Sequence, residues 1–336
     1  MRIIVDAFGG DNAPLEIIKG AALARDTYGY EMVLVGQETV IREVAAANAV
    51  SLDGIDIVDA PDVMTMEDEP RTILKSKKNS SMAEGLRRLV AGEGDAFVSA
   101  GSTGALIMGA TFIVKRIKGV SRPALAPLIP SDTAPFLLID CGANADCRPE
   151  MLVQFAKMGH IFMTRVLGRE NPKIGLLNIG TEECKGTELQ QETYKLLKES
   201  DLPFMGNVEA RDVPAGVADI VVSDGFTGNV LLKTIEGTTA TLMHNIKAIF
   251  KTNLLTKLAA AIVLPQMKAF KKKMDVSEHG GAPIIGVQKP VIKAHGNSDA
   301  KALCSAVRQA ATFAQAGVIE AITEAVTVGT DEECAE

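Results

Sequence analysis

Five times along this chain a short apolar run ends in a glycine-bearing polar turn and gives way to a segment of helical period. No other feature restricts the fold as much. The turns are Asp6-Ala-Phe-Gly-Gly-Asp-Asn12, Ser99-Ala-Gly-Ser-Thr-Gly104, Asp140-Cys-Gly-Ala-Asn144, Asn178-Ile-Gly-Thr181 and Ser223-Asp-Gly-Phe-Thr-Gly-Asn229. Apolar runs without alternation belong to strands buried on both faces, and helical segments between them serve as crossovers, so the pattern predicts an α/β fold with a mostly parallel sheet flanked by helices. Strands are expected at 3–6, 32–35, 55–58, 96–99, 136–140, 173–178, 204–208, 220–223 and 284–287. Helices are expected at 14–28, 80–91, 103–115, 149–167, 187–200, 225–250 and 298–327, with Pro14 and Pro149 near helix starts, where a missing N–H costs nothing.

With 336 residues, length alone would suggest about two domains. No repeat, low-complexity tract or Pro/Gly/Ser-rich linker divides the chain, however, and residues 1–336 read as one continuous α/β domain with an appended helical arm at 241–275. That arm is unusual in composition. Between Gly237 and Met274 there is no acidic residue, while Lys247, Lys251, Lys257, Lys268, Lys271, Lys272 and Lys273 add seven positive charges. Leu254, Leu255, Leu258, Ile262, Val263 and Leu264 lie near helical spacing, Pro265 is expected to break the run, and Met267, Phe270 and Met274 resume it. Three readings fit: a core or dimer-bundle helix pair, a face lying on anionic lipid, and a docking face for an acidic protein.

Composition narrows the function classes. A net charge of −7 supplies no global field for nucleic acid, so anion binding has to come from local lysines and backbone N–H groups. The five cysteines, Cys141, Cys147, Cys184, Cys304 and Cys334, form no CxxC pair and read as free thiols, and the spacing of the four histidines makes no metal site. The opening MRIIVDAFGG has Asp6 where a secretion signal would be apolar, and no run approaches the ~18 apolar residues of a spanning helix. A cytosolic protein is expected.

In an open parallel sheet, ligands bind beyond the carboxyl ends of the strands, where these glycine-rich turns would gather. Glycine lets the backbone approach closely, and the following helix N-terminus offers N–H groups to an anion, so together the turns point to a phosphate-type ligand. None matches G-x-G-x-x-G or G-x-x-x-x-G-K-[ST], so dinucleotide and nucleoside triphosphate fingerprints are missing. Lys185, after a strand and before a helix, could set an ammonium beside the anion or be a solvated helix-start lysine. His295, ahead of a helix with Ser298 as candidate N-cap, could donate to an oxyanion or phosphate or only cap its own loop. Cys184 reads better as a bystander than as a thiol nucleophile, His160 and His244 as helical core or surface residues, and His279 as a turn residue.

These motifs in this order, extended by Cys147-Arg-Pro-Glu150, Thr181-Glu-Glu-Cys-Lys-Gly186, Gly280-Gly-Ala-Pro283 and His295-Gly296, resemble those of the bacterial phosphate acyltransferases of phospholipid synthesis, nearly end to end. Phe8, Ser102 and Asn297 depart from the residues usual there. The resemblance implies the fold group of isocitrate and isopropylmalate dehydrogenases and phosphotransacetylases, with transfer of a fatty acyl group from acyl-acyl carrier protein to inorganic phosphate. The acyl phosphate would serve glycerol-3-phosphate acylation by a membrane acyltransferase. It also implies a homodimer, peripheral attachment to the inner face of an anionic membrane, and no cofactor or metal. Carried onto this chain, it suggests Lys185, Asn229 and His295 as catalytic groups. Asn144, Gly101, Ser102, Thr103, Gly104, Gly142, Asp224 and Gly228 would bind substrate, and Leu254, Leu255, Leu258, Lys271, Lys272 and Lys273 would contact the membrane. The rivals are a coenzyme A-dependent phosphotransacylase, a nicotinamide-dependent dehydrogenase of the same fold, and a noncatalytic scaffold at the lipid surface.

Overall fold

The structure, a computed structural model, describes residues 1–273 and 280–333. Met274, Asp275, His279 and Cys334 lie outside the described residues, as do the side chains of Lys271 and Lys272. The chain opens with β1 (Arg2–Asp6), α1 (Leu15–Tyr28), β2 (Glu31–Gly36), α2 (Glu38–Ala47), β3 (Ile55–Asp59), α3 (Ser81–Val90), β4 (Ala96–Ser99) and α4 (Thr103–Gly109), the last running on as a π-helical turn over Ala110–Lys115. Short strands β5 (Ala124–Leu125) and β6 (Leu128–Ile129) lead to β7 (Phe136–Ile139), α5 (Pro149–Leu167), β8 (Ile174–Asn178), α6 (Glu188–Lys198), β9 (Phe204–Glu209) and β10 (Ile220–Val222). After α7 (Gly225–Phe250) and α8 (Leu254–Lys273) come β11 (Ala282–Ile285), β12 (Val291–Lys293), α9 (Ala300–Gln315) and α10 (Val318–Glu333).

The expected single sheet is two. Seven strands in the order β3-β2-β1-β4-β12-β11-β5 form one, and five in the order β6-β7-β10-β8-β9 form the other. The pairings among β1–β4 and β12, and among β7–β10, are parallel, whereas β11, β5 and β6 pair antiparallel at the flanks. One hydrophobic cluster joins the sheets. It unites Ile3 and Val5 of β1 with Leu137 and Ile139 of β7 and Ile174 of β8, under α1, α5 and α9. Phe162 of α5 meets Phe313 of α9 edge-on, with ring centroids 5.7 Å apart.

Helix starts follow local chemistry. The Ser80 hydroxyl accepts from the Ala83 N–H at α3, Asp224 from Thr227 at α7, and Asp299 from Ala302 at α9, which satisfies donors the first turn leaves without partners. Asp299, not the expected Ser298, is thus the cap of α9. The backbone N–H and hydroxyl of Ser298 both donate to the His295 carbonyl instead. The helix expected over 298–327 is divided at Gly317, which has φ +64°. Pro265 does not break the arm, because α8 continues through it. The proline forfeits one hydrogen bond, but the alanine- and leucine-rich turns around it are strong helix formers.

Candidate functional site

A cavity of ≈ 500 Å³ opens where the carboxyl ends of the two sheets face each other. The first sheet contributes Asp11 after β1, Thr103 and Gly104 after β4, and Lys293 to Asn297 at the end of β12; the second contributes Cys141 and Gly142 after β7. The opening turns of α7 close it with Asn229, Leu232, Lys233 and Glu236. The loops lock onto one another: the Asp11 N–H donates to the Gly296 carbonyl at 2.8 Å, and the Asn12 amide to the Asn297 carbonyl at 3.0 Å.

Two buried carboxylates hold the floor. Asp6, at the end of β1, accepts from the hydroxyls of Ser81 and Ser99, each at 2.6 Å, and from the Phe8 N–H. Burial pushes its carboxyl up in pKa against these donors. Asp140, after β7, accepts five hydrogen bonds. One oxygen takes the N–H groups of Leu125, Cys141 and Ala143; the other takes the backbone N–H of Asn144 and its side-chain amide. Here too burial raises the carboxyl's pKa while the donors pull it down. Because Leu125 precedes the crossing to the second sheet, Asp140 ties the cavity loop to that crossing.

The cationic groups differ in setting. Lys233 is exposed and pairs with Glu236 at 2.7 Å, and Glu236 also stands 3.8 Å from Nε2 of half-exposed His295. Burial works to raise the Glu236 carboxyl, but His295 and Lys233 outweigh it and hold it below the usual range. Lys293 is buried, and its ammonium donates to the carbonyls of Ala100, at 3.1 Å, and Ala294. Burial first, and repulsion from Lys233 second, push its pKa down to about 8, while Asp11 and Asp6 oppose the shift.

The residues expected from sequence divide accordingly. Asn229, His295, Thr103, Gly104 and Gly142 line the cavity together. Gly142 needs its φ of +117° to turn there, and a Cβ on it would lie 3.8 Å from the Asn229 amide carbon. Gly228 is a contact residue of the fold: a Cβ there would stand 2.0 Å from the Asp140 carbonyl oxygen, so only glycine lets α7 approach β7 so closely. Asp224 caps α7, accepting from both the N–H and the hydroxyl of Thr227. Gly101 is buried behind the rim, donating its N–H to Ser99, and Ser102 occupies the cap position of α4 without a side-chain cap bond.

Asn144 is held within its own loop. Its side-chain N–H groups are taken by the Pro123 carbonyl, at 2.8 Å, and by Asp140, so the amide expected to face substrate is spent on holding the loop. Lys185 is exposed in the loop after β8 and does not line the cavity, and its ammonium makes no hydrogen bond or ion pair among the described residues. Lys233, Glu236, Lys293 and Asp11 were not legible as site residues. Lys293 ends an apolar run whose strand is only three residues long, and Lys233 sits two turns into a helix, away from any glycine signal.

Among the described residues, the cysteines offer no activated nucleophile in the cavity. Cys141 lines it, but burial and the neighbouring Asp140 push its thiol far above the usual range; burial and Asp140 likewise push Cys147 up to about 12. Cys141, Cys147, Cys184 and Cys304 are free.

Among known proteins, a family model described as a fatty acid synthesis protein matches residues 1–321. A phosphate acyltransferase of Thermoanaerobacterium thermosaccharolyticum is 47% identical, covering 96% of each chain. One of Bacillus pumilus is also 47% identical, covering 99% of this chain and 100% of its own. Among solved structures, a phosphotransacetylase from Streptococcus pyogenes superposes with a TM-score of 0.63 at 17% identity over 94% of each chain. A 4-hydroxythreonine-4-phosphate dehydrogenase from Klebsiella pneumoniae gives 0.57 at 12% identity, covering 94% of this chain and 99% of that one. At those identities the shared property is the fold, and it is the expected fold group. Identity near one half over almost the whole length says more: this chain is an acyltransferase and belongs to the phosphate acyltransferase family of fatty acid synthesis proteins.

Proposed function

We propose that the enzyme transfers a fatty acyl group from acyl-acyl carrier protein to inorganic phosphate, yielding acyl phosphate. The observation carrying this reading is the cavity in which Lys233, Lys293, His295 and Asn229 converge at the carboxyl ends of parallel strands. Phosphate is already ionised near neutral pH and needs holding more than activating. One of its oxygens attacks the thioester carbonyl, the new C–O bond forms as the C–S bond breaks, and the phosphate's proton passes to the departing thiolate. No covalent enzyme intermediate is required, in keeping with the suppressed thiols of Cys141 and Cys147. The protein aligns the reactants, and the Asn229 amide, without a hydrogen-bond partner among the described residues, is placed to donate to the developing oxyanion.

Lys185, at the exposed rim of the second sheet, is assigned to anionic substrate arriving from outside, either phosphate or an acidic carrier protein. The test is phosphate-dependent thiol release from acyl-acyl carrier protein with the product trapped as hydroxamate. No release would end this reading. Faster turnover of acyl-coenzyme A would replace the donor, and nicotinamide reduction would move the enzyme to another class.

The arm supports peripheral membrane attachment and dimerisation. Leu254, Leu255 and Leu258 are 74%, 77% and 58% exposed, so the apolar face of α8 has no cover among the described residues. Among the described residues no helix is long and apolar enough to cross a membrane, so contact would be interfacial. Near an anionic surface each lysine contributes about 1 kcal/mol, which would favour Lys271 and Lys272, whereas the Lys273 ammonium, also expected at the membrane, donates to the Asp132 carbonyl at 2.7 Å. At the membrane the acyl phosphate would meet an acyl phosphate:glycerol-3-phosphate acyltransferase. Replacing Leu254 and Leu258 together with glutamate should release the protein from anionic vesicles in a flotation assay, with acyl transfer in vesicle-free buffer kept within about twofold, because exposed side chains contribute little to folding. Unchanged flotation would remove the membrane role from α8.

A further inference from the structure

We infer that Lys293 is the residue that receives the phosphate charge: its buried ammonium is held by two backbone carbonyls, faces the cavity, and lacks an anionic partner until substrate binds. The inference rests on the proposed acyl transfer to phosphate and names the side chain that selects that nucleophile.

Position comes first. Lys293 is the last residue of β12, which pairs with β4 on one side and β11 on the other, so its backbone is among the most constrained in the first sheet. Its side chain is 8% exposed and contributes to the cavity wall. An ammonium has three N–H donors. Two go to the carbonyls of Ala100 and Ala294, which fixes the group and leaves one donor over.

Charge comes second. A buried cation is costly unless it is paired. Among the described residues no carboxylate lies within ion-pair distance of Lys293. Asp6, the buried carboxylate at the end of β1, one strand beyond β4, is engaged by Ser81, Ser99 and Phe8; Asp11 exerts a favourable field without an ion pair, and Glu236 is committed to Lys233 and His295. Lys233 faces Lys293 as a like charge. Two lysines turned toward one cavity, the buried one without a counterion, form a setting completed by a dianion. A structural lysine would instead be neutralised within the fold.

The consequence for pH has a definite sign. Burial and Lys233 lower the pKa of Lys293 to about 8, so in the free enzyme its charge is lost as pH rises through that value. Phosphate is mostly dianionic above about pH 8, so in that range phosphate affinity should weaken from the protein side alone.

The experiment compares wild type, Lys293→Met and Lys293→Arg by steady-state kinetics and by equilibrium dialysis of radiolabelled phosphate without acyl donor, from pH 7 to 9.5, with circular dichroism to verify folding. Lys293→Met should weaken phosphate binding and raise the KM for phosphate roughly 10- to 100-fold, the value of one charge-assisted hydrogen bond, and leave the KM for the acyl donor within about twofold. Lys293→Arg should recover part of the affinity and flatten its decline above pH 8, because guanidinium stays charged. A folded Lys293→Met with unchanged phosphate binding overturns the assignment. Should that variant misfold, wild-type phosphate affinity that does not fall above about pH 8 overturns it equally. Lys293-dependent phosphate binding without acyl transfer would support the site and defeat the proposed reaction, so the two readings fail separately.

Discussion

Asp140→Ala should destabilise the protein by about 3 kcal/mol, since a buried donor left without an acceptor costs roughly 1–3 kcal/mol and the other donors here keep a second acceptor or can regain water. The five donors to its carboxylate come from Leu125, Cys141, Ala143 and Asn144. Leu125 and Cys141 are buried, and of the two only the Cys141 N–H keeps a second acceptor, the Leu125 carbonyl at 2.9 Å, whereas Ala143 and Asn144 are partly exposed. The loss is therefore concentrated where the crossing segment meets the end of β7. Asp140→Asn should be nearly as harmful, because its amide presents two donors to a ring of donors. Chemical denaturation measures both, and an unchanged midpoint for Asp140→Ala would show that this carboxylate does not hold the sheet junction. Acyl transfer should fall with stability, since the same loop carries Cys141 and Gly142 into the cavity.

Asn229→Ala should behave in the opposite manner, with intact stability and a kcat lower by on the order of 10²- to 10³-fold, the usual effect of removing one oxyanion donor. Its side chain is exposed and bonded to nothing among the described residues, so truncation leaves no buried group unpaired. The donor's KM should change little if the amide acts mainly on the transition state. Lys185→Ala is the companion variant: placed at the rim, it should raise a KM more than it lowers kcat. Near-normal acyl phosphate formation by both variants would refute the site as drawn.

How much was legible from residues alone differs by element. β1, β2, β4, β8 and β10 are apolar runs buried on both faces, and their positions follow from period and punctuation. α2 was missed although its apolar stripe, with Ile41 and Ala45 buried, is as well marked as that of helices that were expected. β5 and β6, with two residues each, lie below the length at which any period can be seen. Those short strands divide one expected sheet into two and set the cavity between them.

The sequence by itself determined the parallel α/β class, the glycine-rich turns, the basic arm and, through its resemblance, the family, because each is written in local period or ordered motif. Only the tertiary structure decided which side chains share the cavity. Asn144 and Asn229 are both asparagines in turns of similar composition, yet one is consumed by Asp140 and Pro123 and the other opens toward the cavity. Lys185 stands in a conspicuous motif and stays exposed outside the cavity lining, while Lys293 is inconspicuous in sequence and lies buried in the wall. Burial, competing hydrogen bonds and the field of distant charges depend on what the fold brings near, and residues hundreds of positions apart cannot be related by spacing along the chain.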